Sequence, residues 1–281
     1  MINVSPIVTV TFAVAAVLAT YSPAKAQDAQ NDAASEGGLL EEIVVTAQRR
    51  EQQIQDVPIA ISAFSNEQLA ALGATETLDL IRFVPNLIGS NNTGLGTANV
   101  YSLRALNNTE SIATFDPPVG TYVDEVFIAR QNANNFAFFD VDRVEVLRGP
   151  QGTLFGRNTT GGAISIVLRK PAEEFGGYIE GGFGQFGMYK VRGSVDVPLS
   201  EQWLTKFSMF MQEDEGYVGN PTTGEDGINA TDKFGVRAAI RYLPSDTTTW
   251  DFAIDYVKDE GANMLNFDSS GGPQVELEPL R

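Results

Sequence analysis

The chain has 281 residues, 36 acidic against 19 basic, a net charge of −17, and neither cysteine nor histidine. Without cysteine there are no disulfides and no thiolate metal sites. Without histidine the commonest general base and zinc ligand is missing, so no catalytic, metal or cofactor residues are expected, and the acidic balance disfavours nucleic acid as a partner.

Residues 7–20 form an apolar run too short to span a bilayer comfortably, followed by Ala24-Lys25-Ala26, a small-x-small cleavage site. Residues 1–26 therefore read as an export signal, with the mature chain starting at Gln27. Residues 1–5 carry no Lys or Arg, which departs from the usual signal pattern, and an uncleaved signal anchor is the alternative. Residues 27–55 read as a disordered leader, rich in Ala, Asp, Gln and Gly over 27–40. Inside it stand Ile43, Val44, Val45, Thr46 and Ala47, a β-prone stretch flanked by charge. A lone short strand is unstable and offers its backbone to the edge of a partner's sheet. The alternative is that it forms the first strand of the next domain.

Residues 56–170 predict a compact α/β domain. Residues 57–64 alternate as a strand. Ser65-Asn66-Glu67-Gln68 is a capping box that opens a helix to Leu72, ended by Gly73. Residues 77–84 predict a second helix with Leu78, Ile81 and Phe83 inward, stopped by Pro85. Strands are expected over 100–104, 119–123 and 126–130, with Asp124-Glu125 as the tip of a hairpin. Two further strands, 144–147 and 163–167, flank a crossing that contains Gly149, Pro150, Gly152, Gly156, Gly161 and Gly162; its glycines supply backbone freedom that a Cβ would remove.

Residues 171–281 change to long alternating strands. Tyr189, Val191, Gly193, Val195 and Val197 fall on one face, with Lys190, Arg192, Ser194 and Asp196 on the other. Phe234, Val236, Ala238, Ile240 and Tyr242 oppose Lys233, Gly235, Arg237, Ala239 and Arg241, and Trp250, Phe252, Ile254 and Tyr256 oppose Asp251, Ala253 and Asp255. Residues 178–184 and 203–213 fit more loosely. A soluble sheet shows the same alternation with its apolar face inward. Lipid is favoured by strand lengths near the roughly 9–11 residues that cross a bilayer at a tilt. It is also favoured by Tyr189, Trp203, Tyr242, Trp250 and Tyr256 near strand ends, and by short turns at 198–202 and 244–247 against a long acidic connection at 214–231.

The crossing, with its flanking strands from Val144 to Val167, closely resembles the signature near the end of the plug domain of TonB-dependent outer-membrane receptors. Val84-Pro85-Asn86-Leu87 and residues 119–128 resemble other plug elements, so the resemblance runs from about residue 42 to 171. It implies an α/β plug domain followed by the start of an antiparallel transmembrane β-barrel of about 22 strands, in the bacterial outer membrane with the N-terminus periplasmic. Ile43, Val44, Val45, Thr46 and Ala47 look like the TonB box, and Arg148 and Arg104 resemble a latch that pairs with barrel glutamates. For Arg104 the glycine that usually follows is Ala105. Ordinary ion pairs are the alternative for both arginines.

The resemblance further implies a monomeric importer of a scarce ligand, most often a ferric siderophore. Its partners would be the TonB periplasmic domain, with the inner-membrane complex that energises it, and outer-membrane lipid. The chain itself reads as an N-terminal fragment that does not transport alone. A soluble secreted β-rich binding or adhesion protein with a plug-like module is the rival. Gly-Phe-Gly-Gln-Phe-Gly at 182–187 spells a dinucleotide fingerprint, but a strand rather than a helix is expected after it. The acidic stretches at 213–215 and 259–260 leave surface cation binding open.

Overall fold

The computed structural model describes residues 44–46, 52–91, 98–108, 116–220, 224–261 and 276–277. The export signal, most of the leader, Ile43 and Ala47 lie outside the described residues. The chain opens with β1 (Val44–Val45) paired antiparallel to β2 (Gln52–Gln53), then a 3-10 turn over Ile54–Asp56. The leader expected to be disordered through residue 55 therefore has defined backbone at 44–46 and from 52 onward. β3 (Ile61–Ser65) starts later than 57; Pro58 has no N–H to give a ladder.

α1 (Asn66–Leu72) begins and ends where the sequence places it. Ser65 and Gln68 exchange side-chain to backbone hydrogen bonds, and Gly73 closes the helix at φ 68°. The second helix is instead a 3-10 helix over Thr77–Arg82. Three residues per turn stack Thr77 and Leu80 on one line, so these two are buried while Leu78, Ile81 and Phe83 pack at the margin of the core.

β4 (Leu87–Asn91), not anticipated from sequence, pairs with β5 (Asn99–Leu103). β6 (Val119–Val123) and β7 (Val126–Phe127) meet at the expected hairpin, where Asp124 and Glu125 take φ of 44° and 67°. Two successive positive φ values give the primed turn whose twist suits a hairpin. β8 (Val141–Arg148) and β9 (Gly162–Leu168) flank the glycine-rich crossing, which contains one helical turn, α2 (Gly152–Phe155).

These strands form a sheet in the order β3-β8-β9-β6-β7, with only β6 and β9 parallel. Period-two alternation splits the two faces. Val144, Val146, Ile164 and Ile166 pack with Leu69 and Leu80 on one side, and Leu147 and Ala163 pack with Val45, Val57 and Tyr122 on the other.

Five strands then build an antiparallel wall in the order β10 (Gly176–Phe183), β11 (Tyr189–Pro198), β12 (Trp203–Glu213), β15 (Asp232–Ser245) and β16 (Thr248–Asp259). The long connection between β12 and β15 is not irregular. It carries β13 (Val218–Asn220) and β14 (Glu225–Ile228), joined in a small sheet by β17 (Glu276–Leu277). At 182–187 the chain makes a hairpin turn, with Phe186 and Gly187 at positive φ, and strand β11 follows it. No helix starts there to receive a pyrophosphate.

The wall is inverted relative to a soluble sheet. Ile254 is 73% exposed and Phe252 57%, with Phe207, Met209 and Trp250 also exposed, while Lys206 on the other face is only 4% exposed and Arg237 5%. A soluble sheet puts its apolar face inward; this one turns charge inward and hydrocarbon outward, as a lipid-facing wall does. Trp203 stacks on Tyr242 with ring centroids 4.2 Å apart, and Tyr242 lies opposite Trp250, so an aromatic cluster marks the short-turn end. Among the described residues no helix is long and apolar enough to cross a membrane, which does not bear on crossing by strands.

Candidate functional site: the seam and the parked N-terminal strand

The polar face of the wall meets the α/β domain along a row of ion pairs. Alternation sets Lys206 and Ser208 on one face of β12 and Lys233 and Arg237 on the same face of β15, with Ser208 directly opposite Arg237. Each cation finds a carboxylate at a turn or strand start in the α/β domain. Arg237 reaches Asp124 at 2.5 Å, at the tip of the β6–β7 hairpin. Lys206 reaches Asp140 at 3.2 Å, just before β8, and Lys233 reaches Glu76 at 2.9 Å.

Neighbouring groups complete the set. Ser208 donates to Asp140, Asp196 takes a second bond from Lys206 and one from the Ala172 N–H, and Arg192 donates to the Phe138 carbonyl. Burial pushes the Asp140 carboxyl above the usual carboxylate range, against the opposing pull of Ser208 and Lys206. Removing one partner of such a buried pair costs roughly 3–5 kcal/mol, because the other charge stays dry and uncompensated.

Apolar contact fills the gaps between these pairs. Phe139 meets Phe210 of β12 at 4.6 Å, and a Cβ at Gly235 would collide with the Phe210 ring. Beside them a cleft of about 820 Å³ lies between the domain and β15–β16, lined by Phe136, Phe139, Phe210, Arg237 and Asp255 among others. The arrangement holds a folded domain against the wall through several separable polar contacts.

The β-prone N-terminal stretch is not free. Val44 and Val45 pair with Gln53 and Gln52, and Val45 is fully buried against Val57, Leu147 and Ala163. Thr46 donates its N–H to Glu145 Oε1 at 2.8 Å and its hydroxyl to the same oxygen at 3.1 Å. Arg143 Nε also donates to that oxygen at 2.8 Å. The expectation of an unpaired strand is corrected for a physical reason: residues 52–53 lie close enough in sequence to close a hairpin, and the outer face of the α/β sheet offers Val45 an apolar slot. Burying that side chain stabilises docking by about 1.5–3 kcal/mol.

Arg104 and Arg148 stand at the ends of β5 and β8. Among the described residues neither makes an ion pair with a carboxylate, and Arg148 Nε is buried without a hydrogen-bond partner. The Arg104 guanidinium lies over Gly149, where a Cβ would come within 2.9 Å of Nη1, and Gly149 sits at φ 114°. Gly162, at φ 153°, has no room for a Cβ beside the Leu147 carbonyl and Leu103. Gly156 also has positive φ, but Gly152 lies in open space at the start of α2, and Gly161 is held by close packing near the Pro118 carbonyl. Freedom from a Cβ is therefore needed at only part of the crossing. At the acidic stretches Glu213 pairs with Tyr189, Asp214 takes the Gly216 and Thr231 N–H groups, and no metal-holding cluster forms among the described residues.

Sequence reasoning missed the seam carboxylates and Glu145. Lys233 and Arg237 were visible as polar members of an alternating strand, but Lys206 lies in a stretch that fits more loosely, and Glu76, Asp124 and Asp140 belong to turns with no periodicity. Glu145 stands among apolar neighbours in Val144–Leu147, where a strand residue between two buried faces is indistinguishable from a solvated one.

A family model described as the TonB-dependent receptor plug domain matches residues 53–163. The pesticin receptor of Yersinia pestis is 31% identical over 225 residues, covering 79% of this chain and 32% of that protein. The vitamin B12 transporter BtuB of Photobacterium profundum is 24% identical over 204 residues, covering 68% of this chain and 33% of its own length. The chain thus spans about a third of the length of the curated relatives it matches. Among solved structures, the ferric yersiniabactin uptake receptor FyuA from Yersinia pestis superposes with a TM-score of 0.64 at 31% identity, over 70% of this chain and 31% of that one. The pyoverdine outer-membrane receptor FpvA from Pseudomonas aeruginosa PAO1 shares the fold, with a TM-score of 0.64 at 19% identity over 77% of this chain and 30% of its own.

Proposed function

This chain belongs to the TonB-dependent receptor family of outer-membrane β-barrel transporters, which are not enzymes, and from that premise we propose that it gates the import of a ferric siderophore. Ligand binds on the outer side, at plug apices and barrel loops. The plug, taken as residues 56–170, shifts within the wall, and the segment Ile43–Ala47 passes to the periplasmic domain of TonB as an added strand. Energy comes from the inner-membrane proton gradient through TonB, and the receptor acts as a monomer surrounded by outer-membrane lipid. Arg148, with its buried unpartnered Nε, is proposed to latch onto a barrel carboxylate, and Arg104 to support it.

The observation that carries this reading is the polar wall face clasping the plug through Asp124–Arg237, Asp140–Lys206 and Glu76–Lys233. Such a seam holds a plug while leaving it able to move, because charged contacts can be exchanged for water one at a time. The siderophore cargo is inferred from the relative named for ferric yersiniabactin uptake, at 31% identity, since fold alone does not name a ligand.

The test is uptake of radio-iron by cells that lack the receptor and carry its gene on a plasmid, across a panel of ferric siderophores. One chelate should enter only with the gene present, and a proton uncoupler should stop it. Uptake of cobalamin with no uptake of any iron chelate would overturn the cargo.

A further inference from the structure

Glu145 has no part in the seam, yet it is fully buried in the middle of β8. Its Oε1 collects the Thr46 N–H, the Thr46 hydroxyl and Arg143 Nε. Its Oε2 is buried with no hydrogen-bond partner among the described residues. Arg143 is held independently by Asp142 at 2.5 Å and also donates to the Thr46 hydroxyl at 3.3 Å. Among the described residues the N-terminal strand is otherwise held by its two-residue pairing with β2, by the Val45 side chain and by the Arg143 bond to the Thr46 hydroxyl.

We propose that Glu145 is a docking site for the chain's own Val44–Thr46 strand, and that opening this single contact set releases the strand as a unit. A carboxylate with one oxygen unpaired is costly to keep dry. When Thr46 leaves, water reaches Glu145 and recovers that cost, while Arg143 keeps Asp142. Docking is therefore poised close to release, and the part of the site left behind stays folded and ready to take the strand again. The functional meaning of the release rests on the reading of Ile43–Ala47 as the TonB contact.

The experiment is hydrogen exchange at the Thr46 amide in the full chain in detergent micelles, with the Val144 and Val146 amides as internal controls. Glu145→Ala should raise Thr46 exchange by about tenfold or more, the loss expected when a bond to a charged acceptor disappears, with the β8 controls unchanged. Glu145→Gln keeps an acceptor and should give a smaller rise. Thr46→Ala leaves every side chain of the five-stranded plug sheet in place, so it serves if Glu145→Ala fails to fold; it removes only the hydroxyl bonds and should raise exchange a few-fold. Thr46 exchange equal to wild type in Glu145→Ala with β8 intact, or in Thr46→Ala, would overturn the docking site. Binding of the purified TonB periplasmic domain is measured alongside. Faster Thr46 exchange without tighter TonB binding would leave the docking site standing and sink the TonB reading instead.

Discussion

Arg237 lies between two carboxylates, Asp124 at 2.5 Å and Asp255 at 2.8 Å, and is almost wholly out of water. Arg237→Met should therefore loosen the plug more than any change at an exposed arginine. In a double-mutant cycle with Asp124→Asn, chemical denaturation should show a coupling of about 1–3 kcal/mol; additive effects would mean that the pair is incidental. Asp140 makes a pH-dependent contribution whose sign follows from its burial. Its folded pKa lies above the unfolded value, so the native state binds that proton more tightly. Its contribution is greatest in acid and declines as pH rises from about 4 through the folded value. Asp140→Asn keeps one acceptor oxygen but no titrating group, and should remove that decline, read as urea midpoints across pH. Superimposable profiles for the two proteins would contradict the assignment. Half of two seam pairs was legible in the sequence: Lys233 and Arg237 were placed on the polar face by alternation, whereas Lys206 stands in a strand that fits the alternation more loosely, and the carboxylate partners occupy turns, where no period tells a structural carboxylate from a solvated one.

Among the elements, the N-terminal strand carries the sharpest expectation. Its β-prone character was legible in Ile43–Thr46, but its partner was not, because Gln52 and Gln53 are polar and give no strand signal. Docking changes what a mild substitution there should do. Val45→Ala leaves the backbone donor in place but removes buried hydrocarbon worth about 1–2 kcal/mol. It should free the strand more often, strengthen ligand-independent TonB binding and preserve uptake. In the whole receptor, Val45→Pro removes the N–H and fixes φ, so it should abolish uptake while leaving ligand binding at the cell surface intact. Wild-type transport by the proline variant would place coupling elsewhere. The long wall strands, such as Tyr189–Pro198 and the element containing Phe234–Tyr242, were legible because a bilayer imposes a strict period of two. β13 and β14 were not, since three- and four-residue strands in an acidic loop are too short to show one.

At the scale of the molecule, two hydrophobic clusters serve the plug, and every buried member of both lies between Val45 and Leu168. Among the described residues the wall contributes polar pairs and the Phe139–Phe210 contact but no member of either cluster. Residues 44–170 alone should therefore give a mixed α/β circular dichroism spectrum and a cooperative melt. A featureless melt would show that the seam supplies folding energy as well as position. The wall itself makes the larger claim, that its apolar face meets lipid and its charged face meets the plug. The chain has only two tryptophans, Trp203 and Trp250, both exposed and both at the short-turn end of the wall. In bilayers holding the whole receptor, with any tryptophan other than these two replaced by phenylalanine, lipids brominated high on the acyl chain should quench their fluorescence strongly, lipids brominated near the terminal methyl should quench it weakly, and aqueous iodide should have little effect. Strong quenching by iodide with none from either brominated lipid would put the apolar face in water and contradict the account.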